Sequence, residues 1–233
     1  MRRDFVIDME TLGLETGCPI IQIGLVLFDI KNEGAILGKW LWDVEIDKDS
    51  MGKANTETIC WWLETNVDLF KSIMTSPNKK PLQLVLEEVY GVLEAYPLLD
   101  NYLWGNGTLF DNAKLKHAYE KYGGVYPIHY RNDRDMRTIV DLACEKLACS
   151  SDTLMKGIET PICLMSHQAL DDCIKEAIRI AYCYKVLMGG IDSKINLCDN
   201  CTEEIAICDY REVIYGNGND NIIFCVGYHK REI

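Results

Sequence analysis

The chain has 233 residues, 48% of them hydrophobic and 26% charged, with a formal net charge of −12. That length suffices for one sizeable α/β core with a small appendage, and the acidity excludes a protein that coats nucleic acid through Lys and Arg, though not an enzyme that grips a few nucleotides through metal ions. No apolar stretch approaches the length of a membrane span, and Asp4, Asp8 and Glu10 interrupt any signal-peptide core behind Met1-Arg2-Arg3, so a cytoplasmic location is expected.

The first element is the apolar run Phe5-Val6-Ile7-Asp8-Met9-Glu10-Thr11-Leu12-Gly13, which reads as a buried strand carrying two carboxylates. Pro19 to Phe28 is a near-continuous apolar run and Gly38 to Val44 a third strand, together a β-meander. Thr56 to Met74 has a polar start, the Trp61-Trp62 pair and helical spacing. Pro81 to Tyr96 repeats Leu, Val and Tyr at steps of three and four, an amphipathic helix with proline in its first turn. Tyr102-Leu103-Trp104 is a short strand ending in Gly105-Asn106-Gly107 and leading into a helix from Asp111 to Tyr122. Ile128 to Asp135 reads as an edge strand, Met136 to Leu147 as the next helix, and Ala169 to Met188 as a helix with one apolar stripe. That order predicts a mixed sheet with helices on its faces. After Gly189-Gly190 the chain turns β-like and rich in glycine and asparagine, so a boundary near residue 190 separates 1–190 from a small cysteine-containing tail, 191–233.

A buried strand normally excludes carboxylates. Asp8 and Glu10 lie two residues apart, so strand alternation points both to one face, where a divalent cation would relieve their repulsion. An ordinary strand whose end reaches solvent accounts for them too. Asp111, near a helix start, suits a metal ligand or a structural N-cap. In Ser166-His167-Gln168-Ala169-Leu170-Asp171-Asp172 a histidine and two acids precede the long amphipathic helix. With only four histidines in the chain, a chance match to His-x-Ala-x-x-Asp is rare.

Asp8 with Glu10, then Asp111, then His167 with Asp172 stand in the order and context of the DEDDh 3′-to-5′ exonucleases of the ribonuclease-H-like superfamily, and over residues 4–188 the chain resembles them. Asp-x-Glu followed by Ile20-Ile21-Gln22-Ile23-Gly24 is similar to the family's first two strands, Phe110-Asp111 to its second motif, and His167-x-Ala-x-x-Asp172 to its third. Trp61-Trp62 and Arg134-Asp135-Met136-Arg137-Thr138 resemble a smaller branch that includes phage-encoded exonucleases and a mycobacterial-type exoribonuclease.

The resemblance implies an α/β, ribonuclease-H-like mixed five-stranded sheet with helices on both faces, and removal of nucleoside 5′-monophosphates from a 3′ end with two Mg²⁺ or Mn²⁺ ions. Two such ions, about 3.5–4 Å apart, stabilise the attacking and leaving oxygens of an in-line displacement. By resemblance Asp8 bridges both ions, Glu10 and Asp172 complete one position, Asp111 holds the second largely through water, and His167 is the general base, which must be neutral to act. Helical geometry alone pairs His167 with Asp171 at i+4, whereas the family motif pairs it with Asp172; the motif is followed on the premise that His167 precedes the helix. A catalytically silent nucleic-acid-binding or interaction protein with the same fold is the alternative, and the intact acidic set counts against it. An endonuclease of the same fold is a third reading.

The same resemblance places Thr11 and Leu12 on the terminal nucleotide, although core packing explains Leu12 equally well. Of the tryptophan pair, one ring is expected buried and one near the cleft. Trp62, Asn106, Phe110 and Arg137 complete the expected substrate contacts, while Arg134 suits a phosphate or a pairing with Asp133 or Asp135. The expected partner is short or single-stranded nucleic acid with a free 3′ end, DNA or RNA; the sequence does not fix the oligomeric state, and a homodimer stays open because the branch it resembles often dimerises. The eleven cysteines mostly sit in apolar patterns and read as reduced core thiols. In the tail, Cys198-x-x-Cys201 with Cys225-x-x-x-His229 has ligand types compatible with a structural Zn²⁺ site, Cys208 being able to replace one member; ordinary buried cysteines explain the pattern nearly as well.

Overall fold

The apolar runs that open the chain pair into the middle of a sheet. In the computed structural model, residues 2–46, 52–161 and 163–189 are described, together with the strands Val213–Tyr215 and Ile222–Cys225. β1 (Arg3–Thr11) runs antiparallel to β2 (Ile20–Asp29), which runs antiparallel to β3 (Ala35–Glu45). A two-residue strand, β4 (Lys80–Pro81), pairs in parallel with the end of β3, while β5 (Asn101–Gly105) and then β6 (Asp133–Asp135) add in parallel on the other side of β1. The mixed sheet is thus six-stranded, in the order β4-β3-β2-β1-β5-β6, and not the expected five. The additional strand is too short to leave a hydrophobic period. The edge strand expected over 128–135 shrinks to Asp133–Asp135, because Asn132 turns inward and its amide donates to the carbonyls of Leu99 and Asn101.

Helices cover both faces: α1 (Thr56–Thr65), α2 (Val67–Met74), α3 (Leu82–Glu94), α4 (Asp111–Lys121), α5 (Met136–Leu147), α6 (Ser151–Gly157) and α7 (Ala169–Leu187). The single helix expected over 56–74 is broken at Asn66 (φ −151°, ψ 51°), whose side-chain amide donates to the carbonyl of Ser166 at 3.1 Å. Pro81 caps α3 from outside, where its missing N–H is harmless. α6, a helix of seven residues that leaves no clear period in the sequence, is capped by the Ser150 hydroxyl on Thr153 N–H, with Leu154 its buried residue.

Strand alternation sorts β1 between two cores. Phe5, Ile7 and Met9 pack with Val85, Leu86 and Leu115 on the α3/α4 face, whereas Val6 packs with Val26, Phe28, Val140 and Ala177 on the α5/α7 face. Asp4, Asp8 and Glu10 share the parity of Val6, so α7 is the helix that faces them. Cys18, Cys144, Cys173 and Cys183 are buried free thiols, and Cys60, Cys149 and Cys163 are free as well. Among the described residues no helix is long and apolar enough to cross a membrane. β7 (Val213–Tyr215) and β8 (Ile222–Cys225) pair antiparallel in a separate two-stranded sheet. Cys198, Cys201, Cys208, His229 and the side chain of Cys225, on which the zinc expectation rests, lie outside the described residues.

Candidate active site

Asp4, at the start of β1, shows what a buried acid on this face requires. Its carboxylate accepts from the Arg2 guanidinium at 2.7 Å and from the Trp104 indole N–H at 2.8 Å. Asp8 and Glu10, further along the same face, have no such cation: among the described residues neither forms an ion pair, nor does Asp111 or Glu176. Yet Glu10 is only 8% exposed and Asp111 2%.

Asp111 reaches the strand because of where the sheet pairing stops. The β1–β5 ladder ends at Val6 and Trp104, which leaves the Met9 N–H free, and Asp111 Oδ1 accepts it at 3.2 Å. Asp111 is the first residue of α4, with Phe110 at the cap, so the helix dipole favours its negative charge. The turn beneath is fixed by Asn112, whose amide donates to Leu103 O and Asp133 Oδ1, and by Gly105, where a Cβ would strike the Asn112 side chain.

α7 brings the third acid. Gly24 on β2 pairs with Asp8, and a Cβ there would collide with the backbone of Ala169 and Leu170; the bare glycine lets the first turn of α7 seat directly on the strand. Gln22 pins the same turn, accepting the Ala169 N–H at 3.1 Å while its amide donates to Asp43. His167 lies before the helix, with φ +64°, and its backbone N–H donates to Asp172 Oδ2 at 2.7 Å. Lys175, 8% exposed, donates to Asp172 Oδ1 at 2.9 Å and to Met165 O at 2.6 Å, tying the loop to the helix. Asp171 turns the other way and accepts from Met165 N–H.

These elements line one cleft of about 630 Å³, with Asp8, Glu10, Asp172 and Glu176 in its wall and His167 at its side. Burial raises Asp8 well above the usual carboxylate range, reinforced by Asp111, Glu176, Glu10 and Asp172. Burial, then Asp172 and Asp111, push Glu10 to about 8. Burial raises Asp111 to about 7, opposed by the Met9 N–H, Lys114 and Arg137. Oxygen donors crowded this way, with only Asp172 ion-paired among the described residues, fit a hard divalent ion, and ligand atoms of Glu10, His167 and Asp172 lie within 4.8 Å of one another.

The family model of the 3'-5' exoribonuclease Rv2179c-like domain matches residues 3–184. The chain belongs to that family. It therefore carries a 3'-5' exoribonuclease-like domain, and its mixed sheet with helices on both faces is that of the ribonuclease-H-like fold. The fold is similar to that of the nuclease domain of 3'hExo bound to rAMP (TM-score 0.51, 18% identity, 80% of this chain and 92% of that one). It is also similar to product-bound exonuclease I (TM-score 0.53, 13% identity, 79% and 43%) and to exonuclease I from Methylocaldum szegediense (TM-score 0.56, 15% identity, 83% and 44%). The chain thus spans less than half the length of those exonuclease I chains. No curated protein matches it.

The residues expected on the substrate side of this exoribonuclease-like domain divide. Thr11, Asn106 and Phe110 line the cleft. Leu12 is 6% exposed and packs with Ile21, Trp62 and Ile73 as core. Trp62 is 1% exposed, stacks on Phe70 and donates its indole N–H to Thr11 O, so the better-exposed ring is that of Trp61, 39% exposed and edge-on to His167 at 4.8 Å. Arg137 is exposed and sits over Gly107, with its Nε 3.4 Å from Asn106 Oδ1. Arg134 donates to the carbonyls of Arg131 and Asp133 and lies over the Tyr102 ring, at the far end of β5. The sequence reading passed over Glu176, Arg179 and Leu14, which also line the cleft, and Lys175, which braces it. Glu176 left one signal: it stands four residues after Asp172, on the same helical face.

Proposed function

We propose that this chain hydrolyses phosphodiester bonds from the 3′ end of single-stranded or short nucleic acid and releases nucleoside 5′-monophosphates. The observation that carries the reading is that Asp8, Glu10 and Asp172 line one cleft, with Asp111 of α4 held against β1 by the Met9 N–H, and that among the described residues Asp8, Glu10 and Asp111 form no ion pair. Asp8 would be shared between two ion positions, Glu10 and Asp172 would serve one, and Asp111 the other. Divalent ions held there supply charge neutralisation at the attacking and leaving oxygens and acidify the attacking water.

The chain's own groups do the rest. His167 takes the proton from the attacking water, and its position is set by the backbone N–H bond to Asp172 and by the Trp61 ring against its imidazole. Trp61 offers the exposed ring on which a base stacks, and Thr11, Asn106 and Phe110 bound the pocket for the terminal nucleotide. The family's description names an exoribonuclease, which favours RNA as substrate. Matched RNA and DNA 20-mers incubated with Mn²⁺, with products identified by mass spectrometry, test this. Nucleoside 5′-monophosphates from the wild type and none from Asp8→Ala are expected; equal turnover by the two proteins would remove the assignment.

A further inference from the structure

Glu176 stands one helical turn beyond Asp172 on α7 and is not one of the acids that the family motifs supply. It lines the cleft, is 3% exposed, and its Oε2 has no hydrogen-bond partner. A buried carboxylate oxygen left without a donor is unfavourable, and native structures resolve such groups with a partner. Among the described residues none supplies one. Arg179, three residues on, makes no ion pair with Glu176, and its own buried Nε is also without a partner. Burial raises the Glu176 carboxyl well above its usual range, reinforced by Asp111 and Asp172, and Glu176 in turn adds to the rise at Asp8. Asn106 and Arg179 are the neighbours that favour its charged form.

We propose that Glu176 is a fifth carboxylate ligand of the metal centre, reaching it from the turn of α7 beyond Asp172. This rests on the metal-dependent reading of the cleft. The centre would then have a further direct protein oxygen from α7, making it the more selective for a hard cation and the less dependent on substrate to retain it.

The test is binding of Mn²⁺ alone to the full chain after removal of metals with chelator, followed by isothermal titration calorimetry and by the loss of the free-Mn²⁺ electron paramagnetic resonance signal. Wild type is expected to show two sites. Glu176→Gln keeps the shape and removes the charge: one site should stay at wild-type affinity and the other weaken by about tenfold or more. Its metal-free melting temperature should be no lower than that of wild type, because an amide is no costlier to bury among these acids than the carboxyl it replaces. Glu176→Ala, the second variant, should give the same selective loss. Two unaltered sites in both variants would overturn the proposal and leave the exonuclease reading standing. A wild type that binds no Mn²⁺ and shortens no oligonucleotide would overturn both.

Discussion

The backbone N–H of His167 donates to Oδ2 of Asp172 at 2.7 Å, so the proposed base and a proposed metal ligand move as one unit. The imidazole itself is left free for proton transfer, yet it also lies close enough to Glu10 and Asp172 to act as a ligand. The two roles separate experimentally. His167→Ala is expected to lower kcat by roughly 10²- to 10⁴-fold while Mn²⁺ affinity stays within about twofold. A parallel loss of Mn²⁺ affinity would make the imidazole a ligand and not the base.

The adjacent tryptophans should behave oppositely. Trp62, buried and stacked on Phe70, is core, and its replacement by alanine should cost about 3–5 kcal/mol of stability in denaturant titrations. Trp61→Ala should leave stability nearly unchanged and raise KM by an amount corresponding to about 1–3 kcal/mol, the usual worth of a base-stacking ring. An unchanged KM would remove Trp61 from the substrate path.

Glycine substitutions test how α7 is placed. Gly24→Ala puts a methyl into the backbone of Ala169 and Leu170, so α7 must lift from β2. A loss of about 1–3 kcal/mol with a sharp fall in activity is expected. Gly91→Ala, in the interior of α3 with open space around its Cα, should instead stabilise by about 1 kcal/mol. If both variants keep full activity and stability, the close approach of α7 to β2 does not position the site.

How much of this was legible in the sequence depends on what each residue is surrounded by. Asp8 and Glu10 stood out because acids interrupt an apolar strand, and His167 with Asp172 because the histidine precedes a long stripe. Glu176 and Lys175 did not, since polar residues at steps of three and four on an amphipathic helix ordinarily mark its solvated face. Here part of that face is turned toward the cleft, beside the buried Cys173, Ala177 and Ile180. The break at Asn66 was hidden because hydrophobic spacing continues across it, and the exposure of Trp61 against Trp62 follows from which side of α1 meets β1, a tertiary fact. Leu12, compatible with substrate or core from its sequence alone, is core because it follows β1 into the packing around Trp62.

The raised carboxylates give the metal-free protein a pH-dependent stability with a definite sign. Glu10 near 8 and Asp111 near 7 hold protons in the folded state that the unfolded chain releases near its ordinary values of 4.5 and 3.8. Between those limits the folded state binds more protons, so stability falls as pH rises, and the loss is complete above the folded values. Melting temperatures in chelator should therefore drop by several degrees between about pH 5 and about pH 8.5, and saturating Mn²⁺ should remove most of that slope, because a bound cation replaces the protons. A flat profile in chelator would mean that these acids ionise freely without metal.

The central claim, that four acids from three elements form a centre for 3′-end hydrolysis, is tested most directly with one single-stranded oligonucleotide labelled at either end and incubated with Mn²⁺. The 3′ label should be released at once as a mononucleotide, while the 5′-labelled strand shortens one residue at a time. Asp8→Asn and chelator should each abolish both signals. Internal fragments carrying the 3′ label, or shortening that survives Asp8→Asn, would contradict the account.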